Sequence, residues 1–138
     1  MKVIVERGEE AIVFFFEVEE GDRLNPSGRF TIGKPEVRVE LEDIDPSKIH
    51  PDLIALCSIL MCHPFVGKEL KIPFSVSPKF SDSIAKVVSR YNLITPKSSA
   101  VQPRKPPEWG RMGLAFSGGV DSTAALSVIP PDSAPVFM

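Results

Sequence analysis

Residues 114–126 read LAFSGGVDSTAAL, and the abrupt change of character inside this stretch decides how the C-terminal part of the chain is built. RMGLAF, residues 111–116, is a short apolar run of the length of a buried strand. VDSTAALSVI, residues 120–129, has the composition of a helix, and Pro130-Pro131 ends it. Ser117-Gly118-Gly119 stands between the two. Glycine lets the backbone turn tightly and lets a bulky group come close where a Cβ would otherwise stand. The start of the following helix offers backbone N–H groups that lack intrahelical partners, at the positive end of the dipole. Ser117 and Ser122, with Thr123 as a third, add hydroxyl donors. These are the parts of an anion cradle. Asp121 does not fit a polyphosphate directly; it either holds the loop by accepting backbone N–H bonds or serves a bound Mg²⁺. A Gly-Gly turn followed by an Asp-Ser helix start is also ordinary cap chemistry, so the cradle rests on the whole pattern and not on any one residue.

The common phosphate-binding patterns are excluded. A P-loop needs G-x-x-x-x-G-K-[ST], and no lysine lies between Lys105 and the C-terminal residue. A dinucleotide fingerprint spaces its glycines differently. The pattern S-G-G-x-D-S resembles the PP-loop of the ATP pyrophosphatase superfamily, the adenine nucleotide alpha-hydrolase-like proteins, at all five fixed positions and in strand-loop-helix order. Five specified residues at roughly 7% each make a chance match over this length rarer than about one in a thousand.

The resemblance implies that the loop binds the β,γ-pyrophosphate of ATP, with Mg²⁺, and that a substrate oxygen attacks the α-phosphorus. A carboxylate or carbonyl oxygen is then adenylylated, pyrophosphate leaves, and a nucleophile displaces AMP. Carried over by position, Ser117, Gly118, Gly119 and Ser122 hold the pyrophosphate, with Val120, Asp121 and Thr123 completing the nucleotide-binding set. Ser117 and Asp121 are the candidate catalytic residues, and Asp121 the candidate metal ligand. A whole domain of this family is a doubly wound α/β sheet of about five strands. Residues 111–138 offer one strand, the loop, one helix and APVFM (134–138), the opening of a second strand. The expectation is the truncated start of such a domain, in an N-terminal part of a longer enzyme that is inactive alone.

Upstream, the sequence predicts an N-terminal α+β unit over residues 1–94 and a proline-rich linker over 95–110, TPKSSAVQPRKPPEWG. KVIVE (2–6), EAIVFFFEVE (10–19) and EVRVELE (36–42) read as strands of a small meander. The second is apolar on both faces from Ile12 to Phe16, which suits a doubly covered strand; the third alternates, with Val37, Val39 and Leu41 on one face. PDLIALCSILMC (51–62) is apolar almost all round and reads as a buried helix with Pro51 at its first position. Gly67 marks a turn and KIPFSV (71–76) is extended. Ser77 then caps a second helix, with Phe80, Ile84, Val87, Val88 and Tyr91 along one stripe. The carboxylates of ERGEE (6–10) and EVEEGD (17–22) read as solvated strand ends.

Cys57, Cys62, His50 and His63 do not make a zinc site, because helix positions five apart point about 140° away from each other. Arg104, Lys105 and Arg111 read as solvated charges, and Trp109 as an anchor of the linker. A net charge of −2 argues against nucleic acid as a partner. Two cysteines, 43% hydrophobic residues and no long apolar run suit a soluble cytoplasmic protein without a membrane partner. The acceptor of the activated group and the oligomeric state are left open. Two further readings accompany the leading one: a non-catalytic nucleotide sensor, and an enzyme like the glutamate epimerase of peptidoglycan synthesis, which the layout loosely resembles.

Overall fold

The computed structural model describes residues 1–23, 32–103, 105, 108, 110–111, 113–116 and 119–137. It divides into two units, Met1–Arg104 and Lys105–Met138.

The first unit is a mixed α+β fold on a five-stranded sheet of order β3-β2-β1-β4-β5. Strands β1 (Lys2–Arg7), β2 (Ala11–Glu17) and β3 (Glu36–Glu40) form the antiparallel meander that the alternation predicts. Gly8 N–H donates to Ala11 C=O at 2.8 Å and closes the first hairpin. Two short strands, β4 (Glu69–Lys71) and β5 (Asn92–Ile94), then extend the sheet in parallel on the β1 side. The meander is therefore part of a larger mixed sheet, with a parallel β4–α2–β5 crossover at one edge.

Helix α1 (Pro51–Cys62) starts where Pro51 predicts. His50 caps it, its Nδ1 accepting from Asp52 N–H at 3.2 Å. Ile54, Ala55, Ser58, Ile59 and Cys62 are buried. Leu53 and Leu60 are exposed, Leu60 at 67%, so the helix is covered on one side and is not the wholly buried element its composition predicts. Apolar residues all round a helix permit burial but do not compel it; the sheet contacts one face only. The same holds for β2. Ile12, Phe14 and Phe16 are buried, while Val13 and Phe15 on the other face are half-buried.

Helix α2 (Pro78–Val87) is capped by Ser77 as predicted, its Oγ accepting from Phe80 N–H at 3.1 Å. The apolar stripe breaks at Val87, which is 76% exposed; the helix ends there, and Val88 and Tyr91 reach the core from the turn that follows. Met1, Val3, Ile54, Leu70, Ile72 and Val76 are among the fully buried side chains, each worth about 1.5–3 kcal/mol of transfer free energy.

Part of the predicted linker, residues 95–103, is bonded back onto the first unit. Val76 N–H donates to Pro96 C=O at 3.0 Å, Ser98 N–H to Val76 C=O at 3.1 Å and Thr95 Oγ1 to Phe74 C=O at 3.0 Å. Lys97 pairs with Asp82 at 2.8 Å, and Gln102 C=O lies 2.8 Å from His50 Nε2. Proline removes a donor but keeps its carbonyl, and Pro96 uses it. Arg104 and Trp109 lie outside the described residues.

The second unit is β6 (Gly113–Phe116), α3 (Val120–Leu126) and β7 (Ala134–Phe137), with β6 and β7 parallel in the register Gly113↔Ala134 to Phe116↔Phe137. Helix α3 stops at Leu126, short of the proline pair, and Ser127 donates its hydroxyl to Ala124 C=O at 2.6 Å. Among the described residues no helix is long and apolar enough to cross a membrane.

Candidate functional site

The strand-loop-helix order expected of the cradle is present: β6 ends at Phe116 and α3 begins at Val120. Ser117 and Gly118 lie outside the described residues, as does the side chain of Ser122. Gly119 is the helix N-cap, extended at φ −75° and ψ 168°. The first-turn N–H groups of such a helix lack intrahelical acceptors and face outward along its axis. Asp121 stands in that first turn, exposed. Val120, 85% exposed, contributes backbone and no packed side chain.

Thr123 closes the first turn of the helix. Its N–H donates to Gly119 C=O at 3.0 Å, and its Oγ1 donates to the same carbonyl at 2.9 Å. The hydroxyl proton is thus held inside the helix, where it fixes the carbonyl of the capping glycine.

The donor set fits a pyrophosphate and a hard cation in kind. Glycine at the cap leaves the approach to the helix start without a Cβ, and Asp121 is an oxygen ligand of the sort Mg²⁺ takes.

A groove of the first unit has the opposite character. It encloses about 660 Å³ and is lined by Glu9, Glu10, Glu40, Glu42, Asp43 and Asp45, with Arg38 beside them. That lining repels phosphate, so it does not serve a nucleotide.

One polar cluster was not visible in the sequence. The Met1 ammonium, fully buried, sits 2.9 Å from Asp22 and 3.1 Å from Glu19, and donates to Glu69 C=O at 2.8 Å. Asp22, whose side chain is 2% exposed, also accepts from Glu19 N–H and Gly67 N–H, both at 2.8 Å. Burial opposes its charge, but those two N–H groups and the ammonium outweigh burial and hold its carboxyl below the ordinary value. Glu19 is lowered too, first by its hydrogen bond with Lys71 and then by the ammonium. Asp22 and Glu19 are therefore structural anchors, where the sequence predicts solvated strand ends. Nothing in the run of acids in EVEEGD announces this, because the partners lie at the chain start and at Gly67.

Cys62 is buried, and desolvation pushes its thiol up to about 12; Cys57 is half-buried. No group of three or more His, Cys, Asp or Glu side chains able to hold a metal occurs among the described residues. His63 ends α1 and meets the Tyr91 hydroxyl at 3.3 Å.

Compared with protein-family models, curated proteins and solved structures, the chain matches none of them.

Proposed function

We propose that residues 117–123 cradle the β,γ-pyrophosphate of ATP in an enzyme that adenylylates a carboxylate or carbonyl oxygen. One observation carries the reading. The SGGVDS stretch joins a strand to a helix within a parallel β-α-β unit, with a glycine as the helix cap and the first turn exposed. In open parallel sheets ligands bind at the carboxyl ends of strands, which is where this loop leaves β6. On this reading the unit opens a doubly wound domain of the ATP pyrophosphatase kind, working in the cytoplasm where ATP is supplied.

The chain's own groups act by position. Backbone N–H groups at the start of α3, with the Ser117 and Ser122 hydroxyls, take the charge that develops on the departing pyrophosphate. The attacking oxygen forms its bond to the α-phosphorus as the bond from that phosphorus to the bridging oxygen breaks, and the electron pair leaves with pyrophosphate. The acceptor nucleophile then displaces AMP. Asp121 would be the residue to hold magnesium, which when bound would neutralise charge on the phosphate oxygens.

The test is the nucleotide product. The protein carrying this chain is given ATP, Mg²⁺ and a cellular metabolite extract. AMP and pyrophosphate are expected, and both are lost in Ser117→Ala and in Asp121→Ala. ADP and phosphate would refute attack at the α-phosphorus. Tight ATP binding without turnover in any extract would replace the enzyme with a sensor.

A further inference from the structure

Helices α1 and α2 start beside each other, and a histidine stands at the junction. His50 is the N-cap of α1, with its side chain 23% exposed. Its Nδ1 lies 3.2 Å from the backbone nitrogen of Asp52, and its Nε2 lies 2.8 Å from the carbonyl oxygen of Gln102. A backbone N–H only donates and a carbonyl only accepts. Nδ1 therefore presents its lone pair and Nε2 carries the proton, which is one tautomer of the neutral ring. An imidazolium carries a proton on both nitrogens, and in this place it would set Nδ1–H against the Asp52 N–H.

Asp52 ties the ring to the second helix. Its Oδ1 accepts from Ser77 N–H at 2.8 Å and its Oδ2 from the Ser77 hydroxyl at 2.6 Å. Ser77 is fully buried and caps α2, its Oγ accepting from Phe80 N–H at 3.1 Å. Asp52 Oδ2 stands 3.7 Å from His50 Nδ1, beyond hydrogen-bond distance but close to an acceptor's reach for a second ring proton. We infer that His50 is a pH-sensitive switch at this junction: neutral, its Nδ1 caps α1; protonated, its Nδ1–H leaves the cap for Asp52 Oδ2 and competes there with the Ser77 hydroxyl.

Both helix starts respond because one carboxylate serves both. Protonation removes an acceptor from the first turn of α1 and puts a charged donor on the oxygen that orients the cap of α2. The Gln102 contact does not distinguish the two states, since Nε2 carries a proton in each; it holds the ring at the junction while Nδ1 changes partner. The charges around the ring act in opposite senses. Asp52 favours the imidazolium, and Lys48, which lines the same groove as His50 and Leu53, opposes it. Arg7 lies one residue beyond Lys48, on the Ser47 carbonyl at 3.1 Å. The segment 95–103 brings a carbonyl to the ring, and its Lys97 is taken up by Asp82. From α2 the ring meets Ser77 by way of Asp52, and Lys79 is the first charge along that helix. Imidazole ordinarily changes charge between about pH 8 and pH 5, which sets the range of the test.

The experiment is a nuclear magnetic resonance titration of ¹⁵N-labelled residues 1–138 over that range, with His63→Gln used to tell the two histidine rings apart. At the alkaline end the His50 ring should be the Nε2–H tautomer. As it takes up its proton, the Asp52 and Ser77 amide signals should move with the same midpoint as the ring. The exchange protection of the Asp52 amide should fall roughly fivefold, the typical worth of an N-cap. His50→Asn and His50→Ser supply capping side chains that do not titrate, and circular dichroism checks their fold. In either variant the two amide signals should hold still across the range. An Nδ1–H tautomer at the alkaline end overturns the inference, as does a ring that stays neutral throughout or one that titrates with the Asp52 and Ser77 amides unmoved. The same amide shifts in a folded His50→Asn or His50→Ser chain would also overturn it, since they would then belong to another group.

Discussion

Replacing Asp22 by alanine removes the anchor of the first unit. Its carboxylate meets the Met1 ammonium at 2.9 Å and accepts from Glu19 N–H and Gly67 N–H at 2.8 Å. Without it two backbone donors lose their acceptor in a site that water barely reaches, at about 1–3 kcal/mol each when wholly unsatisfied. Breaking a buried ion pair from one side costs about 3–5 kcal/mol. The ammonium, however, keeps Glu19 at 3.1 Å and Glu69 C=O at 2.8 Å, and so is not stranded. The expected loss is therefore at the low end, about 3 kcal/mol, or roughly 12–24 °C in Tm for a unit of this size. Urea unfolding followed by far-ultraviolet circular dichroism measures it. The control is Glu17→Ala, which breaks the Lys2–Glu17 pair, also at 2.8 Å but with side chains 41% and 53% exposed; it should cost under about 0.5 kcal/mol. Distance is alike in the two cases and burial is not, so the contrast isolates burial. The pH dependence carries a sign. The folded carboxyl of Asp22 lies below its ordinary value of 3.8, so its stabilisation is complete above that value and drains away as pH falls through the depressed one. Asp22→Asn should lack this acid-side loss. A loss below about 1 kcal/mol in Asp22→Ala would refute the reasoning.

Gly67→Ala should cost about 3 kcal/mol, read from the same urea curves, because the new Cβ would overlap the Gly21 carbonyl, and Gly21 is itself fixed at φ +91°. On α1, Ile59→Ala should cost about 3 kcal/mol, while Leu60→Glu stays within about 0.5 kcal/mol, since Ile59 is 3% and Leu60 67% exposed. A thiol reagent should label Cys57 promptly in the native protein and Cys62 only on unfolding, because burial holds the Cys62 thiol up at about 12; equal native rates would contradict that burial.

Those outcomes bear on what the sequence could show. The meander, both α-helix starts and the Ser77 cap were legible because each depends on neighbours in the chain: alternation, a proline at the first turn, a hydroxyl three residues before its donor. Strands β4 and β5 were not, since three residues carry no period and their pairing is parallel and distant. The packed course of residues 95–103 was hidden for a different reason. Proline content warns of missing donors and says nothing of the carbonyls, and it is the Pro96 carbonyl that Val76 uses.

The candidate site divides along the same line. Strand, glycine cap and helix are local, and the motif announced them; the direction of the Thr123 hydroxyl is also local, yet it is a competition between an outside anion and the Gly119 carbonyl that composition cannot decide. The Asp22 cluster is the reverse case. Glu17, Glu19, Glu20 and Asp22 look alike in a sequence, four acids near the end of a strand. What separates Asp22 is that Gly21 takes a positive φ and Gly67 has no Cβ, so the two turns come close enough for one carboxylate to reach the Gly67 N–H and the chain start together. The acid and the two glycines thus act as one unit although 45 residues separate Asp22 from Gly67. It follows that Asp22→Ala and Gly67→Ala should not add: whichever comes first opens the junction, and the second then costs less than it does alone.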